Sequence, residues 1–271
     1  MMIRFLRPLA ISVMCFVCVS QAVAQRDADA PRKQGVIISD VPSKVDTKAR
    51  YLIYLSGFIV EAGNTRPTSP KFGVYEYEQI LEAFRRGGFV VISEARKQSH
   101  EIKPYAEKVA GRVRLLLNAG VPPQNITVVG ASQGGWIGML VSTYLKNRGL
   151  NFVVIGACGA DEGFLRLVDL HGNVLFIVER TDRSPATRCQ MFLDDATGLG
   201  ESRVVETNTG QAHGFLYRPL KEWIEPTIEW SQAHSRAGGR YGRRPLSQSQ
   251  IAVDGAGPDK DSAVLDRRSW P

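Results

Sequence analysis

The chain has 271 residues, four cysteines and 34 Lys and Arg against 27 Asp and Glu, a formal net charge of +7. Much of the basic excess lies in the last part of the chain, so it makes no case for a nucleic-acid partner. No internal repeat is visible, and the stretch from residue 30 to residue 234 has the size of one domain with a sizeable core.

Residues 1–24 read as an export signal. Arg4 and Arg7 supply the basic start, Leu9 to Val19 the apolar run, and Ala22-Val23-Ala24 the small-x-small triplet, with cleavage expected after Ala24. The run is about a dozen residues where a spanning helix needs about 20, so no stable membrane insertion is expected after cleavage. A lipid anchor would need a small residue before Cys15 or Cys18, but Met14 and Val17 stand there. Cleavage leaves 32 basic against 27 acidic residues, and only Cys158 and Cys189, in a periplasmic or secreted chain. The two cysteines either pair or stay as separately buried thiols, and their spacing fits no metal site.

Short apolar runs dense in β-branched residues alternate with helical patterns, as in a parallel sheet buried on both faces. The strands are expected at Gly35 to Ser39, Tyr51 to Leu55, Phe89 to Ser93, Ile126 to Val129, Phe152 to Gly156, Val174 to Val178 and Arg203 to Glu206. The helices are expected at Tyr75 to Arg86, Lys103 to Asn118, Gly134 to Lys146, Pro185 to Asp194 and Pro219 to Gln232. Gly87-Gly88, Ala119-Gly120-Val121-Pro122-Pro123 and Asn147-Arg148-Gly149 mark turns after the first three helices. The architecture is therefore α/β, doubly wound and mostly parallel, with helices on both faces. From residue 235 to 271 the chain is rich in Gly, Ser, Gln and Pro without apolar periodicity, and reads as a disordered basic tail. Such a tail could touch anionic lipid or nucleic acid, but a solvated end explains it equally and no function is built on it.

Ligands of open α/β sheets bind outside the carboxyl ends of the strands, so residues just past each strand come first. The strongest signal is Ile126-Thr127-Val128-Val129 followed by Gly130-Ala131-Ser132-Gln133-Gly134-Gly135 and an apolar helix. Gly130 and Gly134 permit a sharp reversal that projects the Ser132 hydroxyl above the sheet. A phosphate loop is the competing reading, but no Lys follows in the required place. A serine nucleophile needs an imidazole to take its proton and a carboxylate to orient that imidazole. Of four histidines, only His213 lies in a loop after the last strand, in Thr209-Gly210-Gln211-Ala212-His213-Gly214-Phe215. His171 falls in a turn at the opposite sheet edge and reads as a surface residue; His234 begins the tail. For the acid, Glu179-Arg180-Thr181-Asp182 follows a strand, with Asp182 preferred, Glu179 second and Asp161, past the preceding strand, third. Glu94, Arg96, Lys97 and His100 follow a strand on the ligand edge, where His100 is a candidate substrate contact and a solvated charged loop is the alternative.

GASQGG after a strand, an aspartate after a later strand and AHGF after the last, in the order Ser, Asp, His, resemble the α/β-hydrolase superfamily from about Tyr51 to Trp230. Within it the chain is similar to small dienelactone-hydrolase-like or esterase-like members, because so few residues separate Gly156 from Asn173 that little or no lid domain fits. Many members carry His-Gly after the third strand; here Ser56-Gly57-Phe58 stands there, which keeps backbone donation but not a histidine side chain. The resemblance implies attack by Ser132 on an acyl carbonyl, with His213 as base then acid, Asp182 orienting it, and the Phe58 and Gln133 amides holding the oxyanion. It requires no metal or organic cofactor. The implied substrates are small-molecule or acylated-glycan esters, or thioesters. A catalytically silent binding protein, or a peptidase or acyltransferase on the same triad, are the other readings; a proteolytic role is disfavoured because no room remains for a large accessory domain.

Overall fold

The computed structural model describes residues 35–60, 63–96, 101–159, 162–182 and 186–236. The export signal and all but the first two residues of the expected tail lie outside these. The chain runs through β1 (Val36–Ile38), β2 (Tyr51–Leu55), a small hairpin of β3 (Thr68–Ser69) and β4 (Gly73–Val74), α1 (Tyr77–Arg86), β5 (Val90–Ile92) and α2 (Ile102–Asn118). A 3-10 turn at Pro123–Asn125 leads into β6 (Ile126–Ala131), α3 (Gln133–Leu145), β7 (Asn151–Ile155), α4 (Glu162–Leu165), β8 (His171–Glu179), α5 (Ala186–Asp194) and β9 (Gly198–Thr207). A second 3-10 turn, Ala212–Tyr217, precedes α6 (Lys221–Arg236).

Seven strands form one sheet in the order β1-β5-β2-β6-β7-β8-β9, and every pair is parallel. Side chains alternate between two cores, as the two-residue period of a strand requires. Tyr51, Ile53 and Leu55 of β2 pack with α2, α3 and α5, whereas Leu52 and Tyr54 pack with α1 and α6. The same division holds for Val128 against Val129 in β6 and for Phe176 against Ile177 in β8. Burial on both faces is why these strands are continuous apolar runs. The sheet is thus the doubly wound α/β architecture expected from the sequence.

Strand order also locates the functional edge. From β2 the chain moves outward to β5, then crosses back to β6 on the other side of β2. The connections leaving β2 and β6 therefore diverge, which opens a crevice at their carboxyl ends. Ser56-Gly57-Phe58 leaves one side of that crevice and Ser132-Gln133 the other.

Where the elements differ from expectation, tertiary contacts are the reason. The first helix starts at Tyr77 rather than Tyr75, because the Tyr75 amide donates to Pro67 O and the Glu76 amide to Tyr217 O. β9 begins at Gly198, five residues earlier than expected, with a largely exposed middle. It is the edge strand, paired on one side only, so its sequence carries little of the apolar signal. β8 likewise starts at His171, which is buried rather than on the surface: Ser142 Oγ accepts its amide and its ring Nδ1 meets Asp169 O at 3.0 Å. The last helix extends through Ser235 and Arg236, the first residues of the expected tail. The β3–β4 hairpin and four-residue α4 are too short to leave a periodic pattern. Among the described residues no helix is long and apolar enough to cross a membrane.

Trp223 anchors the α6 layer. It is fully buried against Phe84 of α1, with ring centroids 6.0 Å apart, and its indole N–H donates to Phe215 O and Arg218 O. Trp223→Ala removes that packing and the indole donor to Phe215 O, while Arg218 O keeps the Leu220 amide, so urea unfolding should show a loss of about 3–5 kcal/mol.

Candidate active site

The site begins with the turn after β6. Ser132 has φ 53° and ψ −123°, a conformation that side-chain-bearing residues rarely adopt and that costs on the order of 1–3 kcal/mol. Close packing holds it there. A Cβ on Gly130 would sit 2.1 Å from Gly134 O, and one on Gly134 would sit 2.0 Å from Leu55 O. The two glycines therefore let α3 start directly against the ends of β6 and β2. The Ser132 amide donates to Ile155 O at 2.8 Å and its carbonyl accepts from the Gly135 amide at 2.7 Å.

His213 reaches Ser132 from the 3-10 turn that follows β9. Its Nε2 lies 3.0 Å from Ser132 Oγ, and its Nδ1 lies 2.7 Å from Asp182 Oδ2. Asp182 is largely buried, whereas His213 keeps about a third of its side chain accessible at the crevice. With Nδ1–H donating to the carboxylate, Nε2 is left to accept the serine proton. Three residues from three strand ends, far apart in sequence, thus form one hydrogen-bonded chain. Phe72, from the β3–β4 hairpin, backs the histidine turn so closely that a Cβ on Gly214 would meet its ring at 2.7 Å.

Glu179, the second candidate for the acid, does different work. It is 1% exposed, and its two oxygens accept from Thr181 N and Oγ1, Thr207 Oγ1, Thr209 N and Oγ1, and Gly210 N. One buried carboxylate thereby ties the turn that carries Asp182 to the loop that carries His213. Thr181 Oγ1 continues the tie by accepting the amide of Ala212, a positive-φ residue beside His213. Burial by itself would raise the Glu179 pKa, but the surrounding donors outweigh it and hold the group at about 2. Asp161, the third candidate, lies outside the described residues, as do Lys97 and His100.

Cys158 and Cys189 form a disulfide with Cα atoms 5.0 Å apart. It joins the loop after β7 to α5, and so braces the chain beyond Asp182. Trp136 of α3 donates to Ala157 O at 2.8 Å and packs on Phe164 of α4, extending that brace to the helix that follows Ser132.

Two of the four charged residues after β5, Glu94 and Arg96, are bonded into the scaffold. Glu94 accepts from Tyr105, Lys108 and Arg112 of α2. Arg96 is 3% exposed and donates to Ser56 O at 2.7 Å, Gly57 O at 3.2 Å and Gln133 Oε1 at 2.8 Å. No periodicity or motif marks an arginine for this task, so sequence reading could not separate it from an exposed loop charge. Gly57 lies against Ser132: a Cβ there would be 3.4 Å from Ser132 Cβ. Phe58 is about half exposed at the mouth of the crevice, and Gln133 is the first residue of α3, where amides have no partner within the helix. Among the described residues no three His, Cys, Asp or Glu side chains cluster as metal ligands.

The all-parallel strand order and the strand–turn–helix at Ser132 are those of a doubly wound α/β fold. No family model matches the chain, and no curated protein sequence does. Similar solved structures include SOBER1 of Arabidopsis thaliana, 10% identical over 69% of this chain and 99% of that one, with a TM-score of 0.48. An esterase/lipase from an uncultured bacterium is 14% identical over 72% and 78%, TM-score 0.47. A truncated carbohydrate esterase from gut microbiota is 13% identical over 72% and 89%, TM-score 0.49.

The Glu179 tie makes a pH prediction. Its folded pKa of about 2 is below the ordinary carboxyl value of 4.5, so its stabilisation is complete above about 4.5 and is lost as pH falls through about 2. Glu179→Gln should lower stability by about 3 kcal/mol at neutral pH and remove that part of the acid limb, read by urea midpoints from pH 7 to pH 2.

Proposed function

We propose that the protein is a serine hydrolase that cleaves carboxylic ester or thioester bonds through an acyl-enzyme. The observation that carries this reading is the continuous chain Ser132 Oγ to His213 to Asp182, at 3.0 and 2.7 Å, at the topological switch point of the sheet. In the first half-reaction His213 Nε2 takes the Ser132 proton as Oγ attacks the acyl carbonyl. The tetrahedral oxyanion accepts from the Gln133 and Phe58 amides, each worth about 3 kcal/mol if placed where the charge develops. His213 then gives its proton to the departing alkoxide or thiolate, leaving Ser132 acylated. Water, deprotonated by the same nitrogen, attacks the acyl group, and collapse of the second tetrahedral species frees the acid and restores Ser132. Asp182 keeps Nδ1 protonated and stabilises the imidazolium formed twice in this cycle.

The absence of a lid domain between β7 and β8, where only α4 stands among the described residues, favours small or exposed acyl groups over lipid droplets. The disulfide supports export to an oxidising compartment, periplasmic or secreted, in keeping with the signal-like amino end. Acylated cell-wall sugars are one substrate class compatible with that placement.

Purified mature protein should hydrolyse short-chain nitrophenyl esters with burst kinetics. Ser132→Ala and His213→Ala should each lower kcat by about 1,000-fold or more, and Asp182→Asn by a comparable factor through the wrong tautomer. Wild-type protein that neither turns over such esters nor reacts with a fluorophosphonate would leave a binding protein on the hydrolase fold as the better reading.

A further inference from the structure

We propose that Arg96 is a positioning residue for the oxyanion site, its single guanidinium setting the orientation of both amide donors; this rests on the serine-hydrolase reading above. Arg96 touches neither Ser132 nor, in this reading, the substrate. Among the described residues it donates to Ser56 O, Gly57 O and the Gln133 side chain, which belong to the two segments that face each other across the crevice.

Peptide geometry turns these contacts into an orientation. In a trans peptide the C=O and the following N–H point in opposite directions within one plane. Fixing Gly57 O on the guanidinium therefore directs the Phe58 N–H away from Arg96. The Val60 amide, donating to the same oxygen at 3.3 Å, reinforces that setting. The preceding peptide is held by the same cation, because Ser56 O also accepts from Arg96. On the other side, the grip on Gln133 Oε1 ties the first turn of α3 to the same cation.

The choice of arginine follows from its shape. Three acceptors in different directions need a planar fork of five N–H donors, and the face of that fork rests on the Tyr105 ring, 5.5 Å from its centroid. A lysine ammonium keeps the charge but has neither the span nor the plane. Loss of the guanidinium would take the donor from the buried Ser56 O and leave Gly57 O with the Val60 amide alone, which loosens the Gly57–Phe58 peptide.

Arg96→Lys and Arg96→Met should lower kcat for nitrophenyl acetate by about 10- to 100-fold while KM stays within about threefold, since the donors act chiefly on the transition state. Gln133→Leu, which removes one acceptor and keeps its own amide, should lose about 3- to 10-fold and serves if both arginine variants fail to fold. Amide spectra of nitrogen-15-labelled protein give a readout independent of turnover. The Phe58 resonance should move in each folded arginine variant, while the low-field Nδ1 proton of His213 stays in place. A kcat within twofold of wild type in Arg96→Lys, a loss confined to KM, or an unmoved Phe58 amide would each overturn the proposal. If wild-type protein proves inert and indistinguishable from Ser132→Ala, the hydrolase reading falls, and the Phe58 amide alone then decides whether Arg96 sets that peptide.

Discussion

The contact of the α3 amino end with the carboxyl ends of β2 and β6 is the constraint on which the site depends. At that point backbone meets backbone so closely that Gly130 and Gly134 have no room for a side-chain carbon. The same contact leaves Ser132 in a conformation that local preferences oppose. Strain of that kind persists only where the surroundings over-determine it. Here they do so through the Ile155 carbonyl, the Gly135 amide and the packing of β2 beneath the helix.

Around this strained residue the protein places buried charges that bind the surrounding loops. Glu179 gathers donors from two loops and so relates the Asp182 turn to the His213 turn. Arg96 gathers acceptors from the β2 exit and the start of α3. Each is buried, and each is surrounded by partners of opposite polarity, the condition under which a buried charge is tolerated. The disulfide and the Trp136 contact secure the loops beyond them. The functional edge is thus a set of short loops held by a few multiply bonded groups on a rigid sheet, an arrangement suited to electrostatic preorganisation.

Much of this was legible in the chain itself. The apolar runs of β2, β6, β7 and β8 are buried on both faces, so composition alone marks them as strands. GASQGG declares its turn because glycine is required there for steric reasons. His213 and Asp182 could be ranked because each falls just past a strand in a parallel sheet. Less was legible at the edge strand β9, whose exposed middle weakens the pattern, and at His171, where a polar residue is buried through its backbone.

By itself the sequence determined the α/β class, the strand-turn-helix at Ser132 and a short candidate list for its partners, because these depend on local periodicity and on steric demands within a few residues. Tertiary structure alone decided which carboxylate meets His213, what Glu179 and Arg96 do, and whether Cys158 meets Cys189. Those outcomes depend on the distance between loops that the chain separates by tens of residues. A charged residue's neighbours in sequence are the same whether it faces solvent or buried carbonyls; only the assembled sheet distinguishes the two.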